Sequence, residues 1–248
     1  MSDASIPTDA AAVGLSIRPV SLLEVFGCVS GFAIGFVFLI FTLGAIGTDD
    51  LANALDYRPE GAWTNLAMTA ASFMVLLIGV AVAMSARGRD AFTALGFARF
   101  APAWWWRAPA LALSAHALAL SAAYLAGWGF GRSADFEVAR LIASVTTTVG
   151  TTAGAVAVIG VFAPLAEEVA FRGFLWSYLR ARTGFIVSAA TTTALFACAH
   201  IEPAHILVVM PAGIAFAVIR ERAGSIWPCV IGHAAINSLL VVYFHLSA

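Results

Sequence analysis

Long apolar stretches alternate with short polar segments along most of the chain. A helix needs about 20 apolar residues to span a bilayer, and these stretches lack the alternating pattern of a membrane β-barrel strand. The pattern predicts an all-α integral membrane protein, a bundle of seven or eight transmembrane helices. The predicted helices are Leu22–Ile46, Asn65–Met84, Trp105–Trp128, Leu141–Phe162, Ala166–Arg182, Phe185–His200, Ala204–Ile219 and Ile226–Phe244.

The composition agrees with this prediction. Of 248 residues, 61% are hydrophobic and only 11% are charged, whereas soluble domains carry about 25% charged residues. The net charge of −1 gives no reason to expect nucleic-acid binding. The expected surroundings are therefore the lipid bilayer rather than a nucleic acid.

The distribution of arginine predicts the orientation. Basic loops stay on the cytoplasmic side of a membrane, and the 47–63 loop is acidic, whereas the 86–107 loop contains four arginines. We therefore expect a cytoplasmic N-terminus. All 13 basic residues are arginine, which we attribute to a biased, bacterial genome, so the expected location is a bacterial inner membrane. Residues 1–17 are polar, lack apolar periodicity and are predicted to form a disordered tail.

One segment leaves two alternatives open. Leu141–Arg182 would measure about 63 Å as one straight helix, roughly twice the bilayer core. Pro164 is expected to kink or break it. Either a span ends at Pro164 and an amphipathic helix follows, or Ala166–Arg182 crosses or half-crosses the membrane by itself.

Polar and ionisable side chains recur at helical spacing in the last third of the chain. Such groups are costly in lipid and are retained mainly where they have a function. A helical hairpin turning near Thr183 brings Glu167 and His200 to a similar height, so the sequence predicts one polar intramembrane site. Its motifs are Glu167-Glu168-x-x-x-Arg172, Phe196-x-x-x-His200 and His233-x-x-x-Asn237.

The spacing of these residues indicates what each could do. Glu168 and Arg172 are four residues apart and can pair on one helix face. Glu167 points about 100° away, and in an apolar cavity its carboxylate can act as a general base toward water. His233 and Asn237 share a face of the last span and can donate hydrogen bonds to a developing oxyanion.

The depths of these groups do not match in straight helices. By helix rise, Glu167 and His200 lie about 24 Å from the end marked by Arg180, whereas His233 lies only about 12–16 Å beyond Arg222. A kink, a tilted helix or a partly submerged turn is needed to close this gap.

In this order within a multispan protein, the three motifs resemble those of the CPBP (Abi) intramembrane glutamic endopeptidases. That family includes CAAX prenyl proteases and bacteriocin-processing and immunity proteins. The resemblance covers about Leu141–Tyr243, so we predict a core at 141–248 preceded by variable leading helices at 18–140. Three further segments fit the family: Ala163-Pro164-Leu165-Ala166, Phe171-Arg172-Gly173 and Gly224-Ser225-Ile226-Trp227-Pro228.

The resemblance implies a role for each motif residue. Glu167 with His200 is expected to activate the hydrolytic water, and Glu168 with Arg172 to orient the site. His233 with Asn237 is expected to stabilise the oxyanion. No cofactor is implied. The implied substrate is a membrane-associated peptide or protein, while its identity and the oligomeric state stay open.

Other functions are compatible with the same residues. A catalytically silent scaffold, immunity or regulatory protein of the same fold is the main alternative. A small transporter that relays protons through buried Glu, His and Arg is a third, although transporters often carry inverted repeats and none is evident. Two glutamates and two histidines could bind zinc. However, there is no HExxH motif, and Arg172 beside Glu168 repels a cation, so we expect metal-free chemistry.

Some polar residues outside the motifs are interpreted as structural. His116 is expected to pack between helices, His205 to lie at the interface near a turn, and His245 to be solvated at the terminus. Glu24 is expected to extend to the membrane interface. Phe196 is interpreted as a packing residue beside the site.

Overall fold

The computed structural model describes residues 19–43, 48–125 and 137–247, and its regular structure is helical throughout these ranges. The predicted disordered tail, Ile46 and Trp128 lie outside the described residues. The described helices are α1 (Leu22–Leu43), α2 (Thr48–Leu55), α3 (Ala62–Met84), α4 (Asp90–Ala94), α5 (Trp104–Leu125), α6 (Glu137–Val145), α7 (Val149–Arg180), α8 (Phe185–Cys198), α9 (Pro203–Ala223) and α10 (Trp227–Leu246).

Among the described residues, five helical segments are long and apolar enough to cross a membrane. They are Pro59–Arg87, which contains α3, together with α5, α7, α9 and α10. Leu22–Val37 of α1 and the whole of α8 are shorter apolar helices. The prediction of an all-α, multi-pass membrane protein is therefore confirmed for the described part of the chain.

The segment around Pro164 differs from both predicted alternatives. Leu141–Phe162 is not one span, because α6 ends at Val145 and α7 begins at Val149. Thr148 is extended and caps α7, its Oγ1 accepting a hydrogen bond from Thr151 N at 3.1 Å. This capping sets a helix start that apolar periodicity does not reveal. α7 then passes through Pro164 without ending and includes π-helical turns at Val156–Phe162 and Val169–Leu175.

α10 is the central helix of the bundle and packs against α5, α7 and α9. The hairpin of α8 and α9 packs beside it. α1 lies along α3, where Gly79 permits close contact because a Cβ there would lie 3.0 Å from Cys28 O.

A buried ion pair joins α1 to the end of the α3 segment. Arg87 Nε donates to Glu24 Oε1 at 2.6 Å, and the carboxylate also accepts from Ser21 Oγ. This partner holds the Glu24 side chain against the protein, and its position at the membrane interface stays a prediction.

The turn before α10 is buried within the protein. Ser225 Oγ donates to Ala98 O at 2.8 Å, and Ile226 N donates to Gly96 O at 3.0 Å. Both Ser225 and Ile226 are 0% exposed. α10 therefore begins beneath the loop that contains Gly96 and Ala98.

Candidate active site

Glu168 and Arg172 form the base of the candidate site on α7. Their side chains are both fully buried, and Arg172 Nη1 donates to Glu168 Oε1 at 3.1 Å. Arg172 Nη2 also donates to Gly213 O at 3.0 Å, and its guanidinium lies 4.4 Å from the ring centre of Phe196. The pairing predicted from their spacing is thus present, and α8 and α9 hold the arginine in place.

His233 joins both glutamates from the facing helix. Its Nδ1 lies 2.9 Å from Glu168 Oε1, and its Nε2 lies 3.5 Å from Glu167 Oε2. Because a carboxylate paired with arginine accepts hydrogen bonds, His233 Nδ1 must carry the hydrogen. Nε2 is therefore the atom that faces Glu167. The ring of Phe216 stacks against the imidazole at 4.9 Å between centroids.

A cavity of about 490 Å³ adjoins these groups. Its wall is mostly apolar, and the predicted residues Glu167, His200, His233 and Asn237 all line it. A mostly apolar cavity with a few convergent polar groups is the usual form of a ligand site. The structure thus brings the three sequence motifs together around one space.

His200 has a defined orientation at this cavity. Its Nδ1 lies 2.9 Å from Phe196 O, and since a carbonyl only accepts, Nδ1 is the donor. The lone pair of a neutral His200 is then on Nε2. The hydrogen bond described for His200 is with Phe196, whereas the polar contact described for Glu167 is with His233. Glu167 and His200 therefore share the cavity without a described direct bond.

Asn237 contacts the backbone of α7 rather than another motif residue. Its Nδ2 donates to Ile159 O at 3.1 Å. An amide group carries two donor hydrogens, so one is committed to Ile159 and the other is available toward the cavity.

Phe196 connects several of these groups. It is 1% exposed, and its ring meets the rings of His200 at 5.1 Å and His233 at 5.7 Å between centroids. Together with the guanidinium of Arg172, these contacts agree with the interpretation of Phe196 as a packing residue beside the site.

Two histidines outside the motifs also line the cavity. His116 on α5 and His205 on α9 both face it, and the ring centroids of His200 and His205 are 4.6 Å apart. The interpretation of His116 as a packing residue did not include this location, whereas His205, besides its expected interfacial position, was also a candidate for the mouth of the site. His205 follows His200 closely across a short turn, a spacing that could have indicated the contact.

His245 has contacts that its terminal position did not predict. Its Nδ1 lies 3.1 Å from Thr152 Oγ1 and 3.0 Å from Thr146 O. The half-buried side chain therefore joins the end of α10 to the start of α7.

Within the residues that the structure describes, no three His, Cys, Asp or Glu side chains are grouped so that they could hold a metal ion. The prediction of metal-free chemistry is a statement about the reaction and stays a prediction.

Comparisons with known proteins point to the same part of the chain. Residues 149–239 match a family model described as type II CAAX prenyl endopeptidase Rce1-like. The matched region starts at the first residue of α7 and includes all three motifs.

One curated relative is "Putative membrane peptidase YdiL" of Bacillus subtilis (strain 168), which is 26% identical over 85 residues. The alignment covers 34% of this chain and 35% of that relative, so the chain spans about a third of the relative's length in the match. No solved structure matches the chain.

Proposed function

We propose that this chain, which belongs to the CPBP family of membrane proteins, is a glutamate-dependent endopeptidase working within the membrane. The observation that supports this most directly is the pair Glu167 and His233 facing one cavity, with Glu167 Oε2 3.5 Å from His233 Nε2. A carboxylate in a confined, mostly apolar space is suited to act as a general base on water, and the imidazole beside it is suited to stabilise the negative charge that then develops on the substrate.

Glu167 is the proposed general base. Water held between Glu167 and His200 loses a proton to the carboxylate, and the resulting hydroxide attacks the carbonyl carbon of the substrate. His200 Nε2 can accept a hydrogen bond from this water, because Nδ1 is engaged by Phe196 O. Glu167 then passes the proton to the leaving amine, which balances the hydrolysis.

His233 is the proposed stabiliser of the oxyanion, with Asn237 beside it. For this role Nε2 must carry a hydrogen that it can donate to the negative charge developing on the substrate oxygen.

The proposed substrates are membrane-associated peptides or proteins. The site lies among helices that can cross a bilayer, and its cavity is lined largely by apolar side chains. A lipid-embedded or membrane-bound segment therefore reaches it more readily than a soluble loop does.

The proposed location is the bacterial inner membrane with a cytoplasmic N-terminus. Contacts at one end of the bundle support this orientation. Ser177 Oγ donates to Ala94 O, and Arg180 pairs with Glu221 at 2.8 Å, so the arginine-rich loop after α3 and the end of α7 lie on the same side.

Cleavage of a membrane-associated peptide library by purified protein in liposomes tests the proposed activity. Wild type is compared with Glu167→Gln, which removes the base while keeping the shape of the side chain. Glu60→Gln is the matched control, since Glu60 is exposed in a loop. Cleavage that is lost in Glu167→Gln, kept in Glu60→Gln and resistant to EDTA is the expected result.

Equal cleavage by wild type and Glu167→Gln would overturn the role of Glu167. Loss of wild-type cleavage in EDTA, with recovery on adding zinc, would overturn the metal-free mechanism.

A further inference from the structure

α7 continues through a residue that cannot complete its backbone hydrogen bonding. Pro164 has no N–H. Any other residue at position 164 would donate its N–H to the carbonyl of Gly160 in an α-helical turn, or to the carbonyl of Ile159 in a π-helical turn. Because Val156–Phe162 is π-helical and α-helical turns follow it, the missing donor falls at the junction of the two. A buried carbonyl left without a partner costs free energy.

Two consecutive side chains of α10 supply donors at this point. Asn237 Nδ2 donates to Ile159 O at 3.1 Å, and Ser238 Oγ donates to Gly160 O at 3.4 Å. A Cβ on Gly160 would lie 2.6 Å from Ser238 Oγ and 3.3 Å from Ser238 Cα, so the glycine permits this close approach. The donors therefore reach the two carbonyls, Ile159 O and Gly160 O, that an N–H at position 164 would bond in a π-helical or an α-helical turn.

This contact lies one helical turn from the site on both helices. On α10, Asn237 follows His233 by four residues, and on α7, Glu168 follows Pro164 by four. Helices bend where their hydrogen-bond ladder is interrupted. Donors from α10 at this interruption fix the height and rotation of the glutamates relative to His233.

We propose that Asn237 and Ser238 are positioning residues that hold Glu167 opposite His233 by closing the hydrogen-bond gap at Pro164. The expected effect on cleavage rests on the proposed function, whereas the expected effect on the position of Glu167 relative to His233 does not. Ser238 acts only through α7. Asn237 uses one amide hydrogen for this contact and keeps the second for the oxyanion.

A double-mutant cycle with Pro164→Ala tests the proposal. Alanine restores a backbone N–H, so α7 itself can satisfy one of the two carbonyls. Ser238→Ala and Asn237→Ala should therefore disturb the site strongly in the wild-type background and less in the Pro164→Ala background. A residue that acts elsewhere gives the same effect in both backgrounds.

The geometric arm is read by NMR of histidine-labelled protein in detergent micelles. The His233 imidazole resonances are assigned by their loss in His233→Gln. We expect Ser238→Ala to move these resonances and Pro164→Ala/Ser238→Ala to move them less. Ser247→Ala is the matched control, because the Ser247 hydroxyl bonds within its own helix to Tyr243 O at 2.8 Å.

His233 resonances that stay in place in both Ser238→Ala and Asn237→Ala would overturn the proposal. Shifts of equal size in the wild-type and Pro164→Ala backgrounds would also overturn it.

The catalytic arm uses the peptide cleavage described above. Misplacing a catalytic group by about 1 Å can cost about 100-fold in rate, so Ser238→Ala should lower kcat by up to about 100-fold while KM changes little. Partial recovery of kcat in Pro164→Ala/Ser238→Ala is expected, and an unchanged kcat in Ser238→Ala would contradict the catalytic consequence. Absence of wild-type cleavage would count against the proposed function alone, since the NMR arm decides the positioning by itself.

Discussion

The carboxylate of Glu168 accepts a hydrogen bond from His233 Nδ1 at 2.9 Å, and the two residues are separated by 65 positions in the chain. This bond places a hydrogen on Nδ1, the imidazole nitrogen that faces Glu168. The other nitrogen, Nε2, is left facing the cavity. A carboxylate that orients a histidine in this way is a common feature of catalytic and metal-binding histidines. Glu168 therefore shapes the site without facing the cavity.

Glu168→Gln is expected to be strongly destabilising. The amide cannot neutralise Arg172, and leaving one charge of a buried pair uncompensated costs about 3–5 kcal/mol. Glu168→Gln/Arg172→Met removes both charges and should regain much of this stability. The measurement is the free energy of unfolding in mixed micelles.

A cleavage assay separates the two roles of Glu168, which are to neutralise Arg172 and to orient His233. The Glu168→Gln/Arg172→Met variant should fold yet cleave poorly, since His233 has lost the charged acceptor that orients it. A double variant that recovers both folding and full cleavage would show that this pair does not serve the reaction.

Local sequence patterns were sufficient for the motifs and most of the helices. The hairpin count brought Glu167 and His200 to similar heights, and both line one cavity. Helix α9 was predicted as Ala204–Ile219 and observed as Pro203–Ala223, because hydropathy identifies the apolar part of a helix and misses its polar ends.

Long-range contacts explain what the sequence could not reveal. The carbonyls of Ile159 and Gly160, just before Pro164, accept hydrogen bonds from Asn237 and Ser238, and each contact spans 78 positions. The buried start of α10 depends on Ser225 bonding Ala98 O, 127 positions away. Neither partner can be identified from periodicity or spacing.

Gly160→Ala is expected to force α7 and α10 apart. The new Cβ would lie 2.6 Å from Ser238 Oγ and 3.3 Å from Ser238 Cα, and overpacking of this kind costs about 1–3 kcal/mol. Gly150→Ala is the matched control on the same helix, since its Cβ would meet nothing closer than Thr148 Oγ1 at 3.9 Å. Unfolding measured in mixed micelles should show a lower free energy of unfolding for Gly160→Ala only. Equal stability of the two variants would contradict the close approach.

Removing the ion pair between α1 and the α3 segment should affect stability and spare the reaction. The side chains of Arg87 and Glu24 are 5% and 9% exposed, so Glu24→Gln removes the carboxylate that pairs with this arginine and should cost about 1–3 kcal/mol. Cleavage per folded molecule should stay at the wild-type level, because the pair lies outside the cavity lining. Asp56→Asn is the control, since its pair with Arg58 is 61% exposed on both sides. Lost activity in folded Glu24→Gln would link α1 to the site.

His205 and His200 should respond differently to substitution. His200→Phe removes the nitrogen proposed to hold water and should abolish cleavage. His205→Phe keeps an aromatic edge against His200, whose ring centroid is 4.6 Å away, and should retain most activity. The same peptide assay measures both variants. Loss of cleavage in His205→Phe, with folding intact, would instead assign His205 a direct part in the chemistry.

Ile201, next to His200, has an unfavourable backbone conformation. Its φ is +62° and its side chain is 84% exposed, and a β-branched residue pays about 1–2 kcal/mol in this left-handed region. Asparagine tolerates the region better, so Ile201→Asn should raise the free energy of unfolding by about 1 kcal/mol. Ile201→Val keeps the β-branch and should not raise the free energy of unfolding.

Strain of this kind concentrates at functional sites. If Ile201→Asn relaxes the turn and also lowers cleavage, the strain helps to hold His200. Equal stability of the asparagine and valine variants would show that the turn carries no such strain.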